Sequence, residues 1–331
     1  MIGAAPLALF YAAASAVTCG TCHKQQASTQ PATSMGHALE LPADCAILRE
    51  HPNLTFRDGR YSFSITREGS RSIYRVTDGT STITAPIGWA FGLGSAGQTY
   101  VFERNGVMYE SRVSYYTAIG GLDYTFGALG SAPGNLVQAA GRQMTHADMT
   151  ACFGCHTTDA VRGNTAHLDE LEPGVRCENC HPGAPGHMEA VKAGNAQAAA
   201  MPHLASMSSE EMSEFCGRCH RTWADIAAHG PHNLGNVRFQ PYRLTNSKCY
   251  DADDKRIRCT ACHDPHVEVV RGAANYDAKC LACHGPGGKS CPVAKKDCTN
   301  CHMPKTDLPG AHRQFTDHQI RIVRAGAPYP N

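Results

Sequence analysis

The chain is short of the side chains from which large protein cores are usually built. Its 331 residues include only 10 Phe, 12 Tyr and 2 Trp, against 32 Gly and 19 Pro. Its length suggests about two domains, but this composition does not fill two conventional cores. A surplus of charge is missing too. Lys and Arg number 30 and Asp and Glu 29, a formal +1, and so near-even a balance argues against a nucleic-acid partner. No apolar run beyond residue 17 is long enough to cross a membrane. The run at 2–17 is alanine-rich and ends in Ala14-Ser15-Ala16. Residues 1–18 therefore read as a signal peptide or N-terminal anchor.

What the chain has in excess is cysteine, seventeen in all. Fourteen lie in seven copies of C-x-x-C-H, the pairs Cys19 and Cys22, Cys152 and Cys155, Cys177 and Cys180, Cys216 and Cys219, Cys259 and Cys262, Cys280 and Cys283, and Cys298 and Cys301. Each pair is followed by a histidine, in order His23, His156, His181, His220, His263, His284 and His302. This is the attachment pattern of c-type haem. Two thioethers reach the two vinyl groups of one porphyrin, and the adjacent imidazole falls under the iron as proximal ligand. A zinc ribbon would need paired C-x-x-C knuckles and no trailing histidine. The expected cofactors are seven covalently attached haem c groups.

Haem attachment to this motif is completed outside the cytoplasm in bacteria, so the expected location is periplasmic or extracellular. The propionates of seven haems would add roughly −14, offset by about +7 when every iron is ferric, which brings the formal charge near −6 oxidised and near −13 reduced. Some of the arginines and lysines are then expected to pair with propionates. Six motifs fall in residues 152–331, one per 30 residues. Porphyrins must be the core of that part, which is not expected to fold without them.

The starts of the motifs are spaced by 133, 25, 39, 43, 21 and 18 residues. The first gap has a character of its own between about 54 and 114. Period-two alternation runs through Tyr61-Ser62-Phe63-Ser64-Ile65-Thr66 and Ser72-Ile73-Tyr74-Arg75-Val76, and further strands are expected at 99–103 and 107–114. Asp58-Gly59, Asp78-Gly79 and Asn105-Gly106 mark turns. The fold class expected is a mostly α-helical and irregular multihaem cytochrome c with a haem-filled core, plus an inserted antiparallel β module. Its divisions are a first haem segment at 19–50, a β-meander at 51–120 and a six-haem domain at 121–331. Gly92-Leu93-Gly94-Ser95-Ala96-Gly97 matches the dinucleotide fingerprint, but a strand-like stretch follows it where a helix is required, so it reads as a β-loop. A helix is expected at 208–216, capped by Ser208 or Ser209.

Eleven histidines remain to supply sixth ligands. His187, His266, His312 and His318 are the best placed by sequence. His266 lies too close to His263 to bind the same iron, so it should reach a neighbouring haem. After the first motif, Met35 or His37 is a candidate, and methionine would raise the potential. His146, His167, His203, His229, His232 and His51 are weaker candidates. Of the three spare cysteines, Cys249 and Cys291 could close a disulfide, leaving Cys45 as the odd one, buried.

Gly174-Val175-Arg176-Cys177-Glu178-Asn179-Cys180-His181, a Pro/Gly loop and His187 resemble the signature of a multihaem cytochrome c superfamily. That group includes the nitrification tetrahaem cytochrome, hydroxylamine oxidoreductase and pentahaem nitrite reductase. Cys262-His263-Asp264-Pro265-His266 and Cys301-His302-Met303-Pro304-Lys305 are similar to it as well. The likeness spans roughly 150–320 and leaves out the β module. It implies haems packed in close parallel and perpendicular pairs, with histidines reaching between them.

Electron transfer along packed haems is the leading expectation, with redox proteins or a membrane quinol-oxidising complex as partners. A multihaem oxidoreductase acting on a small nitrogen compound at one open haem is the chief alternative. Pentahaem nitrite reductases carry lysine in place of one motif histidine, and no C-x-x-C-K occurs here, but hydroxylamine oxidoreductase relatives keep histidine. The first motif is the expected open site, with Tyr109, Tyr115 or Arg112 of the β module above it unless these simply pack the sheet. A third possibility is self-association into an extracellular cytochrome filament.

Overall fold

The computed structural model describes residues 18–128, 132–195, 197–285, 291–324 and 326–330. The expected leader segment lies outside the described residues, apart from Thr18. Among the described residues no helix is long and apolar enough to cross a membrane.

The alternating segments form strands of one antiparallel sheet that is larger than the sequence suggested. It comprises β1 (Leu39–Glu40), β2 (Asn53–Asp58), β3 (Tyr61–Glu68), β4 (Arg71–Thr77), β5 (Thr82–Gly94), β6 (Gly97–Arg104), β7 (Val107–Tyr116), β8 (Gly121–Tyr124) and β9 (Gly141–Gln143). The strands from β2 to β8 pair in sequence order, β1 joins β5, and β9 joins β7. The Asn105-Gly106 turn has both residues at positive φ, 54° and 76°, as a two-residue hairpin on twisted strands requires. The two ends of the meander meet. Phe56 on β2 packs edge-on against Tyr124 on β8 at 5.3 Å, and the Tyr124 hydroxyl donates to Asp58. The sheet is therefore nearly closed.

The fold is not mostly α-helical. It is 33% helix and 25% strand. The expectation failed because β5 carries Pro86, Gly88, Gly92 and Gly94, which hide a thirteen-residue strand behind turn-forming residues. Its register shifts between Ile87 and Trp89. A bulge reverses which side chains face which way. Ile83, Ala85 and Ile87 fill the interior of the sheet with Tyr74, Tyr100 and Phe102. Beyond the shift, Trp89 and Phe91 face the other way and pack with Phe153. The Gly92–Gly97 stretch is the β5–β6 turn, as the strand after it implied.

Phe153 belongs to the helix His146–His156, so the sheet is built against the second C-x-x-C-H segment. The rest of the described chain is short helices, loops and three small two-stranded sheets. Helices Cys259–Cys262, Ala274–His284 and Cys298–His302 bury none of their residues. Side chains alone do not make a core there.

The 133-residue gap closes in space. Gln30 Nε2 donates to the Val175 carbonyl at 2.7 Å, and Val175 N donates to Met35 O at 3.0 Å. The Ser34 hydroxyl donates to Glu268 at 2.9 Å. Gly174 has φ +77°, and a Cβ there would overlap the Gly36 carbonyl. The first motif is thus docked on the third, and the sheet projects from between them in sequence.

Candidate functional site

In each motif the two cysteines stand three residues apart on a helical turn, which puts both thiols on one face. The motifs fall into two local forms. In the first, third and fifth, an isolated turn stops at the second cysteine (Cys19–Cys22, Cys177–Cys180, Cys259–Cys262) and the histidine is its C-cap. Its N–H then donates to the first cysteine's carbonyl, at 2.9, 2.8 and 2.9 Å. In the other four the histidine ends a helix that includes it, as in Ser209–His220, which Ser208 caps as expected.

At each of the three isolated turns the histidine faces a second imidazole. His23 stands opposite His187 with ring centroids 6.4 Å apart, His181 opposite His266 at 6.3 Å, and His263 opposite His318 at 6.3 Å. An imidazole nitrogen binds a metal at about 2 Å and lies about 1.1 Å from its ring centre, so two rings on opposite sides of one ion have centroids roughly 6.2 Å apart. The observed spacing fits one ion between each pair. Among the described residues no cluster of three or more His, Cys, Asp or Glu could hold a metal ion. Two imidazoles suffice when a porphyrin brings its own four nitrogens, so the donor set suits haem iron.

Hydrogen bonds select the free nitrogen. Nδ1 is engaged in His187 (Ala199 O, 2.5 Å), His266 (Asp264 Oδ1, 3.0 Å) and His318 (Thr316 O, 3.0 Å). The same holds for the motif histidines His156 (Ala38 O, 2.8 Å) and His302 (Arg321 O, 2.9 Å). A ring that donates through Nδ1 keeps the Nε2 lone pair for a metal. Burial lowers the pKa of His156, His181, His220 and His263, and takes His318 down to about 4 against the pull of the Thr316 carbonyl. These rings are neutral at ordinary pH, the form that binds iron.

The other candidates sit differently. His312 Nε2 is held by Asp123 at 2.7 Å, with the ring 4.6 Å from Tyr116. His146 Nε2 meets Asn164 O at 2.5 Å, and His51 Nε2 meets the Tyr115 hydroxyl at 2.8 Å. These three spend the nitrogen that a ligand needs. His37 binds Glu40 through Nδ1 at 3.0 Å and is exposed. Met35 engages its neighbours through its backbone carbonyl. His203, His229 and His232 are exposed and His167 half-buried.

The sheet does not lie over the first motif. Tyr109 stacks on Phe102 at 5.5 Å, Tyr115 holds His51, and Arg112 lies over the Tyr124 ring at 5.3 Å. These are packing residues of the sheet, and a motif imidazole that the sheet approaches is His156, whose ring is 5.3 Å from Phe91. Cys249 and Cys291 are both free and exposed, so the expected disulfide is not formed. Cys45 is buried as expected, with its thiol on Gln98 at 3.3 Å, and burial raises its pKa to about 11.

Thiols from different motifs also meet. All are free, and the thiols of Cys19 and Cys177, Cys155 and Cys219, Cys216 and Cys259, and Cys280 and Cys298 are hydrogen-bonded in pairs. Arg218 Nη2 donates to Asn179 O at 3.2 Å, linking the third and fourth motifs, and Cys262 lies near Cys280, linking the fifth and sixth. The seven motifs therefore form a connected line in the order one, three, four, five, six, seven, with the second joined at the fourth. None of this adjacency is visible in the motif spacing.

Residues 133–182, which contain the second and third motifs, match the family described as cytochrome c554 and c-prime. The chain is also 26% identical over 165 residues to the dissimilatory sulfite reductase MccA of Wolinella succinogenes. That match covers 43% of this chain and 21% of the relative, so the chain spans about a fifth of the relative's length. No solved structure matches. Taken with the repeated motif, these likenesses support a multihaem cytochrome c family, which implies covalently bound haem c.

Proposed function

We propose that the chain is an exported electron carrier that holds seven haem c groups and passes single electrons along them. The observation that carries this reading is the set of three imidazole pairs at 6.3–6.4 Å, which closes both axial positions and favours electron transfer over substrate binding. Haem c supplies the one-electron chemistry. The fourteen motif cysteines would attach the porphyrins, and the seven motif histidines would each hold an iron. His187, His266 and His318 would be the second protein ligands at the first, third and fifth motifs. Contacts between motifs keep neighbouring porphyrins close, in keeping with the superfamily resemblance. The partners proposed are redox proteins or a membrane quinol-oxidising complex outside the cytoplasm.

Intact-mass measurement of the holoprotein tests the count, which should correspond to seven haems; another number overturns it. Titration of the reduced protein with carbon monoxide tests the axial sites, since haems with two imidazoles should not bind it. Binding by all seven would overturn the carrier reading.

The likeness to a sulfite reductase favours a second reading, reduction of a small oxyanion at one iron with an open position. The second motif is the place for it, because His156 lies against the sheet with its ring 5.3 Å from Phe91, and Ala38 O holds its Nδ1 at 2.8 Å, which leaves Nε2 for a metal. Sulfite or nitrite turnover with a chemical electron donor, lost in a His156→Ala variant, would establish this reading. A protein that turns over neither anion is a carrier alone.

A further inference from the structure

Among the described residues the most deeply buried charged pair lies beside the fifth and seventh motifs. Arg243 and Asp317 are both fully buried, and their side chains form a two-toothed pair, Nε to Oδ1 and Nη2 to Oδ2, each 2.9 Å. Arg243 Nη1 also donates to Pro330 O at 2.7 Å and to Asn236 Oδ1 at 3.2 Å, and its guanidinium lies 4.6 Å from the Tyr329 ring. Arg321 Nη1 adds a second cation to Asp317 at 2.5 Å. Placing two charges fully out of water is costly, and removing either partner would strand the other as an uncompensated buried charge. Apolar side chains would tie down a tail without that cost.

What the cluster holds is a strap, residues 304–321. Asp317 N donates to Pro304 O at 3.0 Å, and the strap folds on itself as two paired strands, Lys305–Asp307 with Gln314–Thr316. The residue after Asp317 is His318, the imidazole opposite His263. Its backbone carbonyl is fixed by the Ser247 hydroxyl at 3.1 Å. Four residues beyond Asp317, Arg321 exchanges two bonds with the seventh motif. His302 Nδ1 donates to Arg321 O at 2.9 Å, and Arg321 N donates to His302 O at 3.2 Å. One anchored strap therefore touches an imidazole of the fifth motif and an imidazole of the seventh.

We infer that Arg243 and Asp317 are positioning residues for two haem irons at once, aiming His318 at the iron of the fifth motif and setting the free nitrogen of His302 at the seventh. This rests on the reading of His263, His318 and His302 as iron ligands. Neither Arg243 nor Asp317 touches a porphyrin in this role, and each acts through the strap.

Three variants of the full holoprotein, read by carbon monoxide titration and by a spectroscopic redox titration, separate the possibilities. His318→Gly should add about one carbon monoxide per reduced molecule, because it opens one iron, and added imidazole should reverse the gain. Asp317→Asn should produce the same gain in part and also move the potentials of two haems. Arg321→Ala keeps the Arg243–Asp317 pair, so it should leave carbon monoxide binding unchanged and move the potential of one haem. It carries the test if Asp317→Asn does not fold. If His318→Gly gains no binding, the ligand reading itself is wrong. If His318→Gly gains binding while Asp317→Asn and Arg321→Ala leave binding and all potentials as they were, the ligand reading survives and the positioning inference falls.

Discussion

At the scale of single residues, the nitrogen that a histidine leaves free separates ligand from bystander. The sequence supplied the seven motifs outright, because their chemistry is local. It ranked His187, His266, His312 and His318 above the rest, and three of these four face a motif imidazole. Only for His266 did the sequence also say which iron it could not bind, because of its closeness to His263. His312 looked as good as His318 by position, yet its residue adopts φ +49° and its Nε2 turns to Asp123. Alanine at His187 or His266 should therefore each add about one carbon monoxide per reduced molecule, while alanine at His312 or His146 should add none. Gly174 gives a second test. Alanine there meets both a positive φ and the Gly36 carbonyl, so Gly174→Ala should cost about 1–3 kcal/mol. Proteolysis of the folded protein should show 19–38 released first, before the sheet is cut.

At the scale of elements, the strands with clean alternation and a glycine turn were legible, among them β3, β4, β6 and β7. Strand β5 was not, because its prolines and glycines serve a bend that only the closed sheet explains. The helix His146–His156 shows how an element delivers a motif. Thr145 and Asp148 form a reciprocal cap at its start, and Arg142 on β9 holds Asp148 at 2.8 Å. Burial works against the Asp148 carboxylate, but Arg142 and the Thr145 N–H and hydroxyl outweigh it and lower its pKa to about 2. The stabilisation is thus whole above the unfolded value near 3.8 and is lost as pH falls toward 2. Asp148→Ala should cost about 1 kcal/mol and flatten the acid limb of a stability profile measured by thermal unfolding between pH 5 and 2.

At the scale of the whole molecule, several helices of the C-terminal part bury nothing of their own. The size of the sheet was underestimated, and its partner was misjudged, because the bulge in β5 that turns Phe91 toward Phe153 leaves no trace in hydropathy. Hydrogen exchange on protein made without haem should find the strands β2 to β7 protected and residues 177–331 unprotected. Protection in both would mean that the haems are not the core of the second part. The docking of the first motif on the third also has a consequence for biosynthesis. His23 and His187 are 164 residues apart, so a chain delivered N-terminus first to the compartment where haem is attached presents the first motif before its facing imidazole. Until His187 arrives, a haem attached at Cys19 and Cys22 would have one protein ligand and an exposed second face. Whatever machinery loads this chain must shield that face until the whole sheet and the third motif have been made.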